Sequence, residues 1–259
     1  MSRLILPLAA VLSVTGCASI QIQREKAAAV KTVAIVGFTG VTDLEEKDAS
    51  GKKKSSGGIG GMVNAINDTS DLMSGELDKR RIAQAESAYT ALEKQLQTSV
   101  GWKVADRKQL AGVETYSGLL RDNPNTDTLR ATGLQRLPDV LRAEVAEQMD
   151  AKAVAELCQR LGVDAVAIAR VRYVIGDKGG FSIGGIGNQT IYPKAVVDFQ
   201  LLDGSEQPIW RDRRAEGKPT QVGLESVMGA KNNETETQVL VSAAESGFDA
   251  LVERYKKQP

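Results

Sequence analysis

The side chains with the strongest potential for chemistry in this chain are two cysteines, because the sequence contains no histidine. Without histidine the chain lacks the commonest general base and the commonest ligand for transition metals. Cys158 falls on an apolar stripe of a predicted helix, and a thiol acts as a nucleophile only when it is exposed and activated. The pattern therefore predicts a buried, inert thiol at Cys158, and no metal, cofactor or catalytic residue.

Carboxylates and glycines give no stronger indication of a reaction. Glu45, Glu46 and Asp48 are close in sequence, but they precede the basic run Lys52–Lys54, which is typical of a solvated charged loop. The glycines at 37 and 40 lack the spacing of a dinucleotide-binding turn. The basic run also stands before the glycines at 57–61, which is the wrong order for a Walker loop. No nucleotide is predicted, although the lysines could be attracted to anionic lipid at roughly 1 kcal/mol each.

The first sixteen residues have the organisation of a secretory signal peptide. Arg3 supplies a positive charge, and an apolar run follows from Leu4 to Val14. A run of about ten residues is too short to span a bilayer, which requires about 20 apolar residues. It fits instead the apolar region of a signal that is removed.

The residues after this run, Val14, Thr15, Gly16 and Cys17, resemble the lipobox of bacterial lipoproteins. The resemblance implies that a signal peptidase recognises residues 14–16, cleaves before Cys17 and leaves that cysteine acylated, with palmitate among its chains. Two or more acyl chains give stable anchoring. Ala18 in the next position is similar to the signal for sorting to the outer membrane. The alternatives are an ordinary signal peptide or an unprocessed, buried cysteine.

The charge balance argues against nucleic acid as a partner. The chain has 33 basic and 33 acidic residues, and nucleic-acid binding usually requires a basic domain or stripe. The predicted partners are therefore the membrane, other envelope proteins or a second copy of the chain.

Hydrophobic periodicity predicts a mixed α/β fold. We expect a lipidated N-terminus and tether at 17–30 and a single domain at 31–259, with glycine-rich insertions at about 50–75 and 176–188. Within it the pattern predicts strands at 31–39, 102–106, from 163, 192–202 and 207–212, helices at 77–100, 138–149, 151–161 and 234–256, a helical turn near 110 and a loop at 116–132. This order predicts helices packed on a mixed β-sheet.

Several short motifs in this order resemble one group of envelope proteins. They are Val33–Phe38, the strand ending in Asp106 and Arg107, the turn at Leu161–Val166, and Val196–Asp203 followed by Ile209 and Trp210. They are similar to the periplasmic module shared by the curli secretion lipoprotein CsgG, the TolB N-terminal domain, the penicillin-binding-protein activator LpoB and the Pel export lipoprotein PelC. The resemblance implies an assembly, docking or oligomerisation surface and no catalysis.

The glycine-rich insertions supply the candidate interaction surface. Phe181, Ile183 and Ile186 stand among glycines with few charges, and Ile59 and Met62 repeat the theme in the first insertion. Such residues suit an edge that another surface covers. We therefore predict a non-enzymatic outer-membrane lipoprotein that presents a protein-binding module to the periplasm.

Two other functions stay open. A CsgG-like secretion channel would require spanning strands of about 9–11 residues, which is longer than the glycine-rich core, so subunit or membrane-surface contact is favoured. An envelope enzyme is the third alternative, and no catalytic constellation supports it.

Overall fold

The computed structural model of this protein describes residues 20–44, 75–123, 134–183, 186–205, 207–226 and 233–258. The predicted lipidation and peptidase-recognition residues, Val14, Thr15, Gly16 and Cys17, lie outside the described residues, as do Ile59 and Met62.

Eight strands form one mixed sheet, which confirms the predicted fold class. The strands are β1 (Ile20–Ile22), β2 (Thr32–Asp43), β3 (Lys103–Val104), β4 (Leu134–Gln135), β5 (Ala165–Ile183), β6 (Ile186–Leu202), β7 (Trp210–Glu216) and β8 (Leu224–Ser226). Their order is β1-β7-β6-β5-β2-β3, with β4 paired to β2 and β8 to β6. β2 is parallel to β3 and β5, and the other pairs are antiparallel.

Helices pack on both faces of this sheet. They are α1 (Arg24–Ala29), α2 (Glu76–Gln95), α3 (Glu114–Asp122), α4 (Ala143–Ala146), α5 (Ala151–Leu161) and α6 (Asn233–Lys257). A π-helical turn, Leu96–Val100, continues α2, and a 3-10 helix, Arg107–Gly112, forms the turn predicted near residue 110. Gly162 ends α5 with a φ of 64°, the left-handed conformation that glycine adopts at low cost.

The apolar residues of β2 are divided between two cores, because side chains alternate along a strand. Val33 and Ile35 join the core under α2 and α6, whereas Ala34 and Val36 join the core under α3, α4 and α5. A β-bulge between Ile35 and Gly37 shifts the alternation, so Phe38 returns to the core under α2 and α6. A strand that is buried on both faces reads as a continuous apolar run. That run made the central strand predictable from the sequence.

Two predictions were wrong: the start of the loop at 116–132 and the helix at 138–149. Residues 114–122 form α3 instead of a loop, because Tyr116 is fully buried and its hydroxyl donates to the Val36 carbonyl at 2.9 Å. Only one helical turn forms within the helix predicted at 138–149. Leu141 bridges to Gly37 of β2, and its carbonyl accepts from the Phe38 amide at 2.9 Å. Because the Leu141 carbonyl accepts a hydrogen bond from β2, it is not available to a helix at this position.

Part of the predicted tether belongs to the fold. Residues 20–22 form β1, which pairs with β7, and Ala27 of α1 is buried in the larger core. The predicted insertion at 176–188 is likewise strand, since β5 and β6 continue through it as far as Ile183 and Ile186.

Asp164 connects the start of β5 to the start of β2. One carboxylate oxygen accepts from the amides of Lys31 and Thr32, both at 2.8 Å, and from the Thr32 hydroxyl at 2.9 Å. These backbone and hydroxyl donors lower the pKa of Asp164. The ionised carboxylate is therefore more stable in the folded chain than in the unfolded one.

We expect Asp164→Ala to lower the free energy of unfolding by about 1 kcal/mol at pH 7, because three hydrogen bonds to an exposed carboxylate are lost. A carboxyl whose pKa is lower in the folded than in the unfolded chain stabilises the fold fully at pH values above its unfolded pKa, near 3.9. This stabilisation is lost as the pH falls through the pKa of the folded chain. Urea unfolding from pH 7 to pH 2 should show the two proteins converge at the acid end. An equal difference at every pH would contradict the assignment.

Candidate functional site

The β5–β6 hairpin extends well beyond the rest of the sheet. β2 makes its last pair with β5 at Val174, and β7 makes its last pair with β6 at Val196. Beyond these positions β5 and β6 continue to pair with each other up to Ile183 and Ile186. We call residues 175–193 the arm; its β5 strand of nine residues is about 30 Å long at the usual rise of a strand.

One backbone edge of the arm is open within the described part of the chain. From Ile175 to Ile183, β5 pairs with β6 on one side, and no described strand pairs with it on the other. Exposed strand edges are usually protected by charges or proline, because they can pair with another chain. Asp177 and Lys178 stand at the base of the arm, but no charged residue follows from 179 to 193.

The β6 side of the arm is covered. β8 pairs with Gln189, Thr190 and Ile191 of β6. Between β7 and β8 the Thr220 amide donates to the Pro193 carbonyl at 2.9 Å. Glycine is required at 223, because a Cβ there would lie 2.1 Å from the Thr190 methyl carbon. The arm is thus supported along β6 and open along β5.

A polar cluster lies within the main sheet, on the face that α4 covers, five residues before the arm begins. Arg170 of β5 lies 2.9 Å from a carboxylate oxygen of Glu144 and 3.2 Å from one of Glu147. The same Glu144 side chain accepts from the Thr39 hydroxyl at 3.1 Å. Burial raises the pKa of the Asp198 carboxyl, while Arg172 and Arg170 oppose that change. These contacts hold α4 and the residue that follows it, Glu147, against β5.

The alternation of Arg170, Val171, Arg172 and Tyr173 gives the middle of β5 one polar face. Val171 and Tyr173 are buried in the larger core, whereas Arg172 is exposed. The polar face continues across β6 and β7, where Arg211 donates to the Gln200 side chain at 3.0 Å.

The structure brings three of the predicted interaction residues together on the arm. Phe181 pairs with Asn188, and Ile183 pairs with Ile186. Directly opposed positions and positions two apart share a face of a ladder. Phe181, Ile183 and Ile186 therefore occupy register positions on one face at the end of the arm.

Cys158 is half-buried on α5 and packs against the smaller core. Burial, together with the nearby carboxylates of Asp203 and Asp164, raises the pKa of its thiol to about 11. The reactive thiolate is thus scarce at neutral pH. This agrees with the inert thiol that the sequence predicted, although Cys158 is less buried than expected.

The pockets of the described parts of the chain include two that are lined by polar and charged side chains. The larger, of about 750 Å³, lies between α3 and the start of α5 and includes Val113, Met149 and Arg160. The smaller, of about 360 Å³, lies between the end of β7 and the end of α6. The described residues contain no group of three or more metal-binding side chains. Within them no helix combines the length and apolar character needed to cross a membrane.

No protein-family model matches the chain. No curated protein is significantly similar to it in sequence. The crystal structure of lipoprotein GNA1162 from Neisseria meningitidis is similar with 12% sequence identity and a TM-score of 0.27, over 88% of this chain and 99% of that chain. A likeness of this degree carries no argument about fold or function.

Sequence reasoning missed the polar cluster around Arg170. Thr39, Glu144 and Arg170 come from three separate elements, and the hydrogen-bonded Thr39 and Glu144 are 105 positions apart. The one available signal was the placement of Arg170 and Arg172 at alternate positions of an otherwise apolar strand.

Proposed function

We propose that this protein is a non-enzymatic outer-membrane lipoprotein whose periplasmic α/β domain binds other envelope proteins, or a second copy of itself, through the arm. The open β5 edge is the observation that carries the proposal. No described strand pairs with this edge beyond Val174, and residues 179–183 of the edge carry no charge. Such an edge suits the addition of a partner strand, in which backbone hydrogen bonds supply affinity.

The lipid anchor in this proposal comes from the sequence. Residues 1–16 have the pattern of a signal peptide, and Cys17 follows the small residues that resemble a lipobox. An anchored domain meets its partners within the envelope. The raised pKa of the Cys158 thiol argues against a nucleophilic role for that residue.

Photocrosslinking in cells tests the binding function. A photocrosslinking amino acid is placed at Lys178, an exposed position on the arm, or at Lys152, an exposed position on α5. We expect a discrete adduct from position 178 that mass spectrometry identifies as an envelope protein or a second copy, and no such adduct from position 152. The proposal would be contradicted if the two positions gave the same adducts, or if neither position gave any adduct.

A second candidate function is a CsgG-like secretion channel, and one observation favours it. The β5 strand of the arm has nine residues beyond the sheet, within the length of about 9–11 residues that a membrane-spanning strand needs. The paired strand is thus longer than the glycine-rich core alone, which is too short to span a bilayer. Rings in single-particle images of the detergent-extracted protein would support a channel, whereas monomers or dimers would exclude it.

A further inference from the structure

The first strand fixes the distance between the proposed anchor and one edge of the sheet. Ile20 pairs with Asp212 of β7, and Ile22 pairs with Trp210. Only three Cα-to-Cα steps separate Cys17 from Ile20, so the chain between them spans at most about 10 Å. An acylated cysteine lies at the level of the lipid headgroups. The edge formed by β1 is therefore held within that distance of the headgroups.

The C-terminal end of α6 belongs to the same edge. The Arg24 guanidinium donates to the carbonyls of Tyr255 and Gln258 and lies over the Tyr255 ring, 5.1 Å from its centre. Tyr255 in turn packs on Trp210, which pairs with Ile22. These contacts place the last turn of α6 beside β1 and α1, close to the point where the chain enters the sheet.

Basic side chains are concentrated around this edge. Arg214 of β7 and Lys257 of α6 line one shallow pocket, with side chains 72% and 74% exposed. Five exposed basic residues lie on β7, on α6 and in the segment after β7: Arg213, Arg214, Lys218, Lys256 and Lys257. Glu216 and Glu253 are exposed carboxylates that neutralise part of this charge through Arg214 and Lys257. Two further exposed carboxylates of α6, Glu245 and Asp249, lie earlier on the helix, and Asp249 accepts from the Gln95 side chain of α2. The remaining positive charge faces the side from which the anchor enters.

We propose that the β1–β7 edge and the last turn of α6 form a docking surface for the anionic lipid headgroups of the anchoring membrane. The inference rests on the proposed acylation of Cys17 and adds an orientation to it. A basic residue near an anionic surface contributes about 1 kcal/mol, and the effect falls off within a Debye length of about 8 Å. The short tether keeps the basic residues close enough to the headgroups for this attraction to act.

This orientation leaves the open edge of the arm accessible. β5 is separated from β1 by β6 and β7, and its open side faces away from both. A partner strand can therefore reach the arm from the side opposite the membrane, which is compatible with the proposed function.

Lipid photocrosslinking in cells tests the orientation on the full chain. A photocrosslinking amino acid replaces Lys257, or Lys103 on β3 as the matched control, and cells are grown with ³²P-phosphate to label phospholipids. Both lysines are exposed, and β1 and β3 stand at opposite ends of the sheet. Five strand spacings, roughly 24 Å, separate the two edges. We expect at least about fivefold more phospholipid label at position 257 than at 103.

A charge variant tests the cause of the orientation. The variant carries three substitutions: Arg213→Gln, Arg214→Gln and Lys218→Gln. The excess of phospholipid label at position 257 over position 103 should then fall below about twofold, since about 1 kcal/mol of attraction is lost with each basic residue. Equal labelling at 257 and 103 in protein that carries palmitate would overturn the docking surface and leave the anchor intact. An unchanged excess in the charge variant would also overturn it. A chain without palmitate would overturn the anchor itself and the orientation with it.

Discussion

Replacing Arg254 by alanine is expected to lower the free energy of unfolding by about 3 kcal/mol, because the change leaves a buried carboxylate without its cation. The Asp212 side chain is fully buried, and both of its oxygens accept from the Arg254 guanidinium, at 2.7 and 3.2 Å. Asp212 also accepts from the Arg214 amide at 3.1 Å. The pair joins β7 to the last turn of α6, so its loss weakens two elements together.

Lys257→Ala is the matched control for this prediction. Lys257 lies in the same helical turn and pairs with Glu253, but both side chains are largely exposed. Exposed ion pairs contribute about 0–1 kcal/mol, so little change is expected. Urea unfolding of the three proteins in parallel measures the difference. Equal stability of Arg254→Ala and Lys257→Ala would show that the buried pair does not hold β7 to α6.

Shortening the arm is expected to abolish partner binding and leave the fold intact. Replacing residues 181–188 by Asn-Gly joins the paired positions Gly180 and Gln189 through a two-residue hairpin turn. The described core ends at Tyr173 on β5 and resumes at Ala195 on β6, so the deleted segment lies beyond it. We expect the free energy of unfolding to change by less than about 1 kcal/mol. The adduct from Lys178 should disappear.

A variant with an arm of equal length tests whether binding needs the apolar side chains of the arm or only its length. Phe181→Ser, Ile183→Ser, Ile186→Ser protein keeps the hairpin length but removes the apolar side chains. We expect a weaker adduct from position 178 than in the native chain. If the adduct is unchanged in both variants, the partner does not bind through the arm.

Local patterns predicted the elements that are buried on a regular face. The apolar run from Val33 to Phe38 became the central strand, and the spacing of Ala85, Ala88, Tyr89 and Leu92 became one buried face of α2. Gly162 marked the end of α5 because a glycine with positive φ is a common helix terminus. In each case a few neighbouring residues carry the information.

The missed features depend on residues that are distant in sequence. The glycine-rich segment at 176–188 has no alternating pattern, and it forms strands because β5 and β6 continue a register that begins in the core. β1 has three residues and requires β7 as its partner. Asp212 and Arg254 are 42 positions apart. No local pattern could indicate these pairings.

The claim on which the placement and the orientation both depend is that Cys17 becomes an acylated N-terminus. Intact-mass spectrometry of the protein purified from membranes tests it directly, with Cys17→Ser as the control. We expect a chain that begins at Cys17 and carries the added mass of two or three acyl chains, and a Cys17→Ser protein without that mass. A native chain that keeps residues 1–16, or one that begins at an unmodified Cys17, would contradict the account.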